Sequence, residues 1–223
     1  MIVLIKRLFN FAAVMEFNEK QVQIMEAAEA LFAERGFAGT SVRDISQTAG
    51  VNLAMISYYF GSKERLMEAM FQYRGEHYRL QLQNILQNKS LSFSQKVEKL
   101  IEEYVDRIFK KQNFHKIMVR EQMADKTGPV SKLIYELKSS NQALIKQLIQ
   151  EGQKNGEFKK NVDTSFLMMT LVGTASQLMT AQHFYRKMNN LESLSGEEFE
   201  KHIKKKLSIY LKNLFKAMLG YEG

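Results

Sequence analysis

Residues able to do covalent or metal chemistry are few and scattered in this sequence. The four histidines stand at positions 77, 115, 183 and 202, and cysteine is absent. No HExxH pair, GxSxG elbow or phosphate-cradling glycine loop occurs. His115 has no obvious carboxylate partner in the sequence. With no nucleophile beside a base and no ligands at metal spacing, the chain reads as a non-enzyme with no cofactor and no metal. A different chemistry is concentrated in residues 40–63. There a lysine, an arginine and two tyrosines supply an ammonium, a guanidinium and phenol hydroxyls. Such donors suit phosphate oxygens and the edges of nucleic-acid bases.

The elements that must carry these residues are helices. The 223 residues include one proline and 12 glycines, with 45% hydrophobic and 25% charged. That balance favours long helices in a soluble all-α protein over many short strands and turns. In 19–35, Val22, Met25, Ala28, Leu31 and Phe32 recur at helical steps, and Gly36 ends the run. Val42, Ile45 and Ala49 share one face of a short helix that Ser41 and Asp44 open as a capping box. Gly50 ends it, Asn52 caps a third helix holding Ile56 and Phe60, and Gly61-Ser62 closes that one. Longer helices are expected at 63–88, 92–112, 113–124, 130–155, 163–188 and 197–219. Ser92 with Gln95 and Ser195 with Glu198 are further capping boxes, and Thr127-Gly128-Pro129 is a break. The chain thus divides into a leader over 1–15, a three-helix head over 16–62 and a larger helical body over 63–223. The apolar residues 1–14 are interrupted by Lys6, Arg7 and Asn10, unlike a secretory signal. They read as a disordered leader ahead of a second start at Met15, with a short helical arm as the alternative.

Two short helices joined at a glycine and braced by a longer first helix form the plan of a helix-turn-helix. Gly50 supplies the positive φ of the turn. Ile45, Ala49, Val51, Ile56 and Phe60 would set the angle between the two helices. The residues themselves point further. The string Leu31-Phe32-Ala33-Glu34-Arg35-Gly36-Phe37-Ala38-Gly39-Thr40-Ser41-Val42-Arg43-Asp44-Ile45 continues through Ala49-Gly50-Val51-Asn52. It ends with Ile56-Ser57-Tyr58-Tyr59-Phe60-Gly61-Ser62-Lys63-Glu64-Arg65-Leu66. Over about fifty residues this closely resembles the DNA-binding domain of the TetR family of bacterial transcriptional regulators, while 66–223 matches only in general plan.

By position, the resemblance implies that Arg43 reaches a base edge or phosphate and that Leu53, Ala54 and Met55 face the groove. It also implies base or backbone contacts from Ser57 and Tyr58, and phosphate contacts from Tyr59 and Lys63. Thr40 or Ser41 would offer a hydroxyl to phosphate. Leu53, Ala54 and Met55 are apolar where some members carry polar side chains. They can touch thymine methyls but cannot make bidentate base contacts, which puts weight on Arg43, Ser57 and DNA shape.

In the body, 197–219 carries Phe199, Ile203, Leu207, Tyr210, Leu211, Leu214 and Met218 on a stripe, with lysines mostly off it. The segment 163–188 lacks charge between Asp163 and Arg186, so it should be covered on most sides. Pairing of these two helices with their copies across a twofold would cover it, the alternative being that 163–188 is the central helix of a monomer. Gly173, Ala175 and Ser176 would permit close approach, and Leu207, Leu211, Leu214 and Met218 would join the interface. The resemblance implies the same homodimer, since the last two long helices usually form it. It also implies a small-molecule effector pocket. Inward-facing candidates are Tyr104, Phe109, His115, Met118, Gln122, Met123, Tyr135 and Met169. Each, taken singly, reads better as ordinary core.

The charge count sharpens this picture. The formal charge is +8, yet 16–65 holds five basic and seven acidic residues, net −2, and 66–223 is net +8. Binding to nucleic acid therefore rests on local placement of Arg43, Tyr59 and Lys63 rather than on bulk charge, with Lys6 and Arg7 as added phosphate contacts if the leader is real. The uncharged run 164–185 is too polar to span a bilayer, so no membrane partner is expected. The sequence therefore reads as a cytoplasmic, bacterial, homodimeric and ligand-responsive regulator, most simply a repressor, on a palindromic double-stranded DNA operator. The alternative is a helical ligand-binding or interaction module that no longer reads DNA.

Overall fold

The computed structural model describes residues 17–123 and 129–221, all of its regular structure helical. The leader at 1–15, with Lys6 and Arg7, and the turn at 127–128 lie outside the described residues. Ten helices follow in order among the described residues. They are α1 (Glu19–Arg35), α2 (Val42–Ala49), α3 (Leu53–Phe60), α4 (Lys63–Gln87), α5 (Phe93–Lys110), α6 (Gln112–Met123), α7 (Pro129–Lys154), α8 (Thr164–Thr180), α9 (Gln182–Met188) and α10 (Gly196–Leu219).

The expected caps form. Ser41 with Asp44, Ser92 with Gln95 and Ser195 with Glu198 close reciprocal capping boxes at α2, α5 and α10. Each satisfies backbone N–H groups that the first helical turn cannot bond. A fourth box, Asn18 with Gln21, opens α1. At the end of α2, Gly50 adopts φ 60 and ψ 37. An L side chain there would be strained, and this is what lets α3 start within three residues of α2.

The chain folds into two compact units, 1–80 with 113–137 and 81–112 with 138–223. The first takes in more than the head at 16–62. Its core joins Ile24, Met25, Ala28 and Phe32 of α1 to Ile45 of α2, Ile56 of α3, Met67, Met70 and Phe71 of α4, Ile117 of α6 and Ile134 of α7. A buried ion pair crosses this unit. Arg74 Nε donates to Glu29 Oε2 at 2.8 Å, both side chains being largely out of solvent. The second unit has its own core, built from Ile101, Val105 and Ile108 of α5, Ile145, Leu148 and Ile149 of α7, Leu167, Leu171 and Ala175 of α8, and Ile203, Leu207 and Leu211 of α10. Burial of each such side chain contributes roughly 1.5–3 kcal/mol.

The single helix expected over 163–188 is in fact two. The backbone leaves helical geometry at Ala181, with φ −106 and ψ 22. The Thr180 hydroxyl bonds back to the carbonyls of Ser176 and Gln177, 3.1 Å each, and such back-bonding loosens a helix where it occurs.

Candidate nucleic-acid interface

α2 and α3 are held by a small core in which Ile45, Ala49, Ile56 and Phe60 are buried and Val51 is half-buried. Gln23 of α1 ties the pair down by donating from Nε2 to the Ala49 carbonyl at 2.7 Å. This leaves one side of α3 outward. Leu53, Ala54, Ser57 and Tyr58 are exposed, Met55 and Tyr59 are half-buried, and Ile56 and Phe60 are buried. At about 100° per residue, positions 53, 57, 54 and 58 fall within an arc of roughly 140°. Tyr58 stands out furthest, at 83% exposed. On α2, Arg43, Gln47 and Thr48 are exposed.

Three further residues expected at the interface have defined local duties. Ser41 caps α2, and its hydroxyl donates to Asp44 Oδ2 at 2.6 Å. Those bonds, from the Ser41 side chain first and its backbone second, hold the Asp44 carboxyl below the usual range. Thr40 is a correction to the expected phosphate contact. It is 1% exposed, and its hydroxyl donates to the carbonyls of Gly36 at 2.8 Å and Leu31 at 3.3 Å. A residue that closes the end of α1 in this way has no hydroxyl to offer a phosphate. Lys63 is half-buried. Its ammonium donates to the carbonyls of Phe37 at 2.9 Å and Thr40 at 2.8 Å and lies 4.2 Å from the Phe37 ring centroid. Two of its three N–H bonds are therefore turned inward, onto the turn that leads into α2.

Arg120 of α6 is a member of this framework that the sequence did not disclose. Its Nη1 donates to the Phe32 carbonyl at 2.9 Å, at the end of α1. No spacing rule links positions 88 residues apart.

The residues expected to line an effector pocket are divided between the two units. Tyr104 and Phe109 are buried in the core of the second unit, whereas Met118 packs on the core of the first and His115 is half-buried. Met123, Tyr135 and Met169 are 82%, 72% and 66% exposed, so they do not face inward as expected. The Gln122 side chain lies outside the described residues. An open groove of about 480 Å³ in the second unit is lined instead by polar groups, among them Gln142, Lys146, Gln150 and Asp163. Among the described residues no group of three or more His, Asp or Glu is placed to hold a metal. No helix of the described residues is long and apolar enough to cross a membrane.

The expected dimer residues also divide. Ala175, Leu207 and Leu211 are buried in the second unit's own core, so they are not available to a partner. Ser176, Leu214 and Met218 are half-buried and Gly173 is exposed. The large apolar side chains left in solvent on these elements are Phe166, Met169, Phe184, Met188, Ile209 and Tyr210.

Comparison with known proteins agrees with the α2–α3 geometry. Residues 24–70 match the profile described as bacterial regulatory proteins, tetR family, and residues 94–206 match the tetracyclin repressor-like C-terminal domain. The chain belongs to the TetR family. Among its relatives is Bacillus subtilis YttP, named a probable HTH-type transcriptional regulator and 36% identical over 140 residues, 61% of this chain and 66% of YttP. The match thus spans just under two thirds of that TetR-family relative. Similar solved folds include the fatty acid degradation regulator FadR of Bacillus halodurans, at TM-score 0.66 and 21% identity, covering 88% of this chain and 96% of that one. The ketosteroid transcriptional regulator KstR2 of Mycobacterium tuberculosis superposes at TM-score 0.67 and 19% identity, covering 89% and 96%.

Proposed function

We propose that this TetR-family protein is a sequence-specific DNA-binding transcriptional regulator, a repressor acting as a homodimer on a palindromic operator in the bacterial cytoplasm. The observation that carries the reading is the outward side of α3. An eight-residue helix is held by buried Ile56 and Phe60, and it presents Leu53, Ala54, Ser57 and Tyr58 with Arg43 of α2 beside it in the motif. That is the arrangement a recognition helix needs to enter a major groove.

Dimerisation is supported by the exposed Phe166, Met169, Phe184, Met188, Ile209 and Tyr210. Carried on α8, α9 and α10, these side chains offer a second copy apolar area to bury. A second copy gives the two recognition helices that half-sites one helical turn apart require. A small molecule that binds the helical body and favours one of two head spacings would shift operator affinity. Kinship with the TetR family supports that last element.

Selection of bound sequences from a random DNA pool, with and without a metabolite extract, tests the reading. Enrichment of an inverted repeat with half-sites about 10 base pairs apart is expected. No enrichment would instead favour a helical module that no longer reads DNA.

A further inference from the structure

The outward side of α3 has an unusual chemical make-up for a surface that must discriminate bases. Leu53 and Ala54 are hydrocarbon, and Ser57 and Tyr58 offer one hydroxyl each. No amide, guanidinium or carboxylate lies on it. The polar residue that precedes it, Asn52, accepts from the Ala54 N–H through Oδ1 at 2.9 Å and so serves as the helix cap. Two parallel hydrogen bonds to one base, as arginine makes to guanine or glutamine to adenine, need a forked side chain. The outward side of α3 has none. What the first turn of α3 offers a major groove is apolar area, with Leu53 still 42% exposed. The one apolar group on the floor of the major groove is the C5-methyl of thymine.

Resting on the DNA-binding reading above, we propose that α3 selects its operator by packing Leu53 and Ala54 on thymine methyl groups. Donor–acceptor readout of guanine is left to Arg43 of α2, whose guanidinium is exposed and forked. The specificity-determining residue of the recognition helix is then Leu53, and the ligand class is a half-site with thymine, or another 5-methylpyrimidine, where α3 begins. The hydroxyls of Ser57 and Tyr58 add single contacts that do not by themselves separate the four base pairs.

The test uses the full chain and the operator recovered by selection. Each thymine is replaced in turn by uracil, which removes the methyl and leaves the pairing intact. One or two positions per half-site are expected to lose about four-fold in affinity, the effect of exposing one buried methyl-sized group. At those positions 5-methylcytosine paired with guanine should retain more affinity than cytosine does. In Leu53→Ala the uracil effect at one position should fall toward one-fold while binding to the rest of the operator persists. Leu53 is exposed, so the variant keeps the fold, and circular dichroism checks it. The proposal is overturned if no uracil changes affinity, or if Leu53→Ala leaves every uracil effect at its original size. Failure to select any sequence would overturn the DNA-binding reading itself.

Discussion

The substitution Lys63→Met separates packing of the α2 approach from phosphate binding at a single residue. Position 63 suggests a phosphate contact, yet the ammonium donates to Phe37 and Thr40 carbonyls and lies over the Phe37 ring. Lys63→Met keeps a similar apolar stem and removes only the charge and donors. Each bond from a charged donor contributes about 1 kcal/mol at a half-buried position, and the ring contact about 0.5 kcal/mol. The expected loss is therefore about 2–3 kcal/mol, a fall in Tm of at least several degrees for a chain of this size. The DNA readout is separate. A lysine that neutralises a phosphate contributes about 0.9 to the slope of log K against log salt. For a lysine turned onto the protein, the slope of Lys63→Met should equal that of the parent protein, measured by anisotropy on the selected operator well below Tm. An unchanged Tm with a slope shallower by about 0.9 would instead place the ammonium on a phosphate.

Three further outcomes follow from the same structure. Arg74→Met should destabilise by about 3 kcal/mol in urea unfolding, because it leaves the Glu29 carboxylate buried without its partner; adding Glu29→Met should recover most of that. The Tyr221 hydroxyl is buried with no hydrogen-bond partner among the described residues, and burial, then the nearby Glu98 charge, push its pKa up to about 12. The fold favours the neutral phenol, so this contribution to stability is complete below about pH 10. It is lost as pH rises toward 12, and Tyr221→Phe should flatten that fall and cost nothing at pH 7 in thermal melts. Arg43→Ala should weaken selection at one base pair per half-site by about 1–3 kcal/mol, seen as relaxed preference in a repeat of the DNA selection.

How much of this was legible in the sequence depended on the range of the interaction. Caps and turns are local, so Ser41–Asp44, Ser92–Gln95, Ser195–Glu198 and the Gly50 turn could be read from spacing alone. The Asn18–Gln21 box carries the same kind of signal, a capping residue three positions before a glutamine. Periodicity located the α2–α3 core correctly because a short helix there has one apolar side. It failed on α10, where Leu207 and Leu211 face the unit's own core and Ile209 and Tyr210 face solvent. A helix apolar on two sides does not say which side meets its own chain. Residue type alone points Met123, Tyr135 and Met169 inward, although much of any protein surface is apolar. The Lys63 and Arg120 contacts join positions 23 to 88 residues apart and leave no local pattern. The break at Ala181 falls inside an uncharged run whose composition does not change.

In the proposed function two copies of this chain read one operator through α3. The most direct measurement of this is the mass of the complex with the selected operator, by light scattering, at concentrations well above Kd. Two chains per inverted repeat are expected, with loss of stable binding when one half-site is scrambled. A single chain bound with full affinity to one half-site, or a complex indifferent to scrambling both, would contradict this reading.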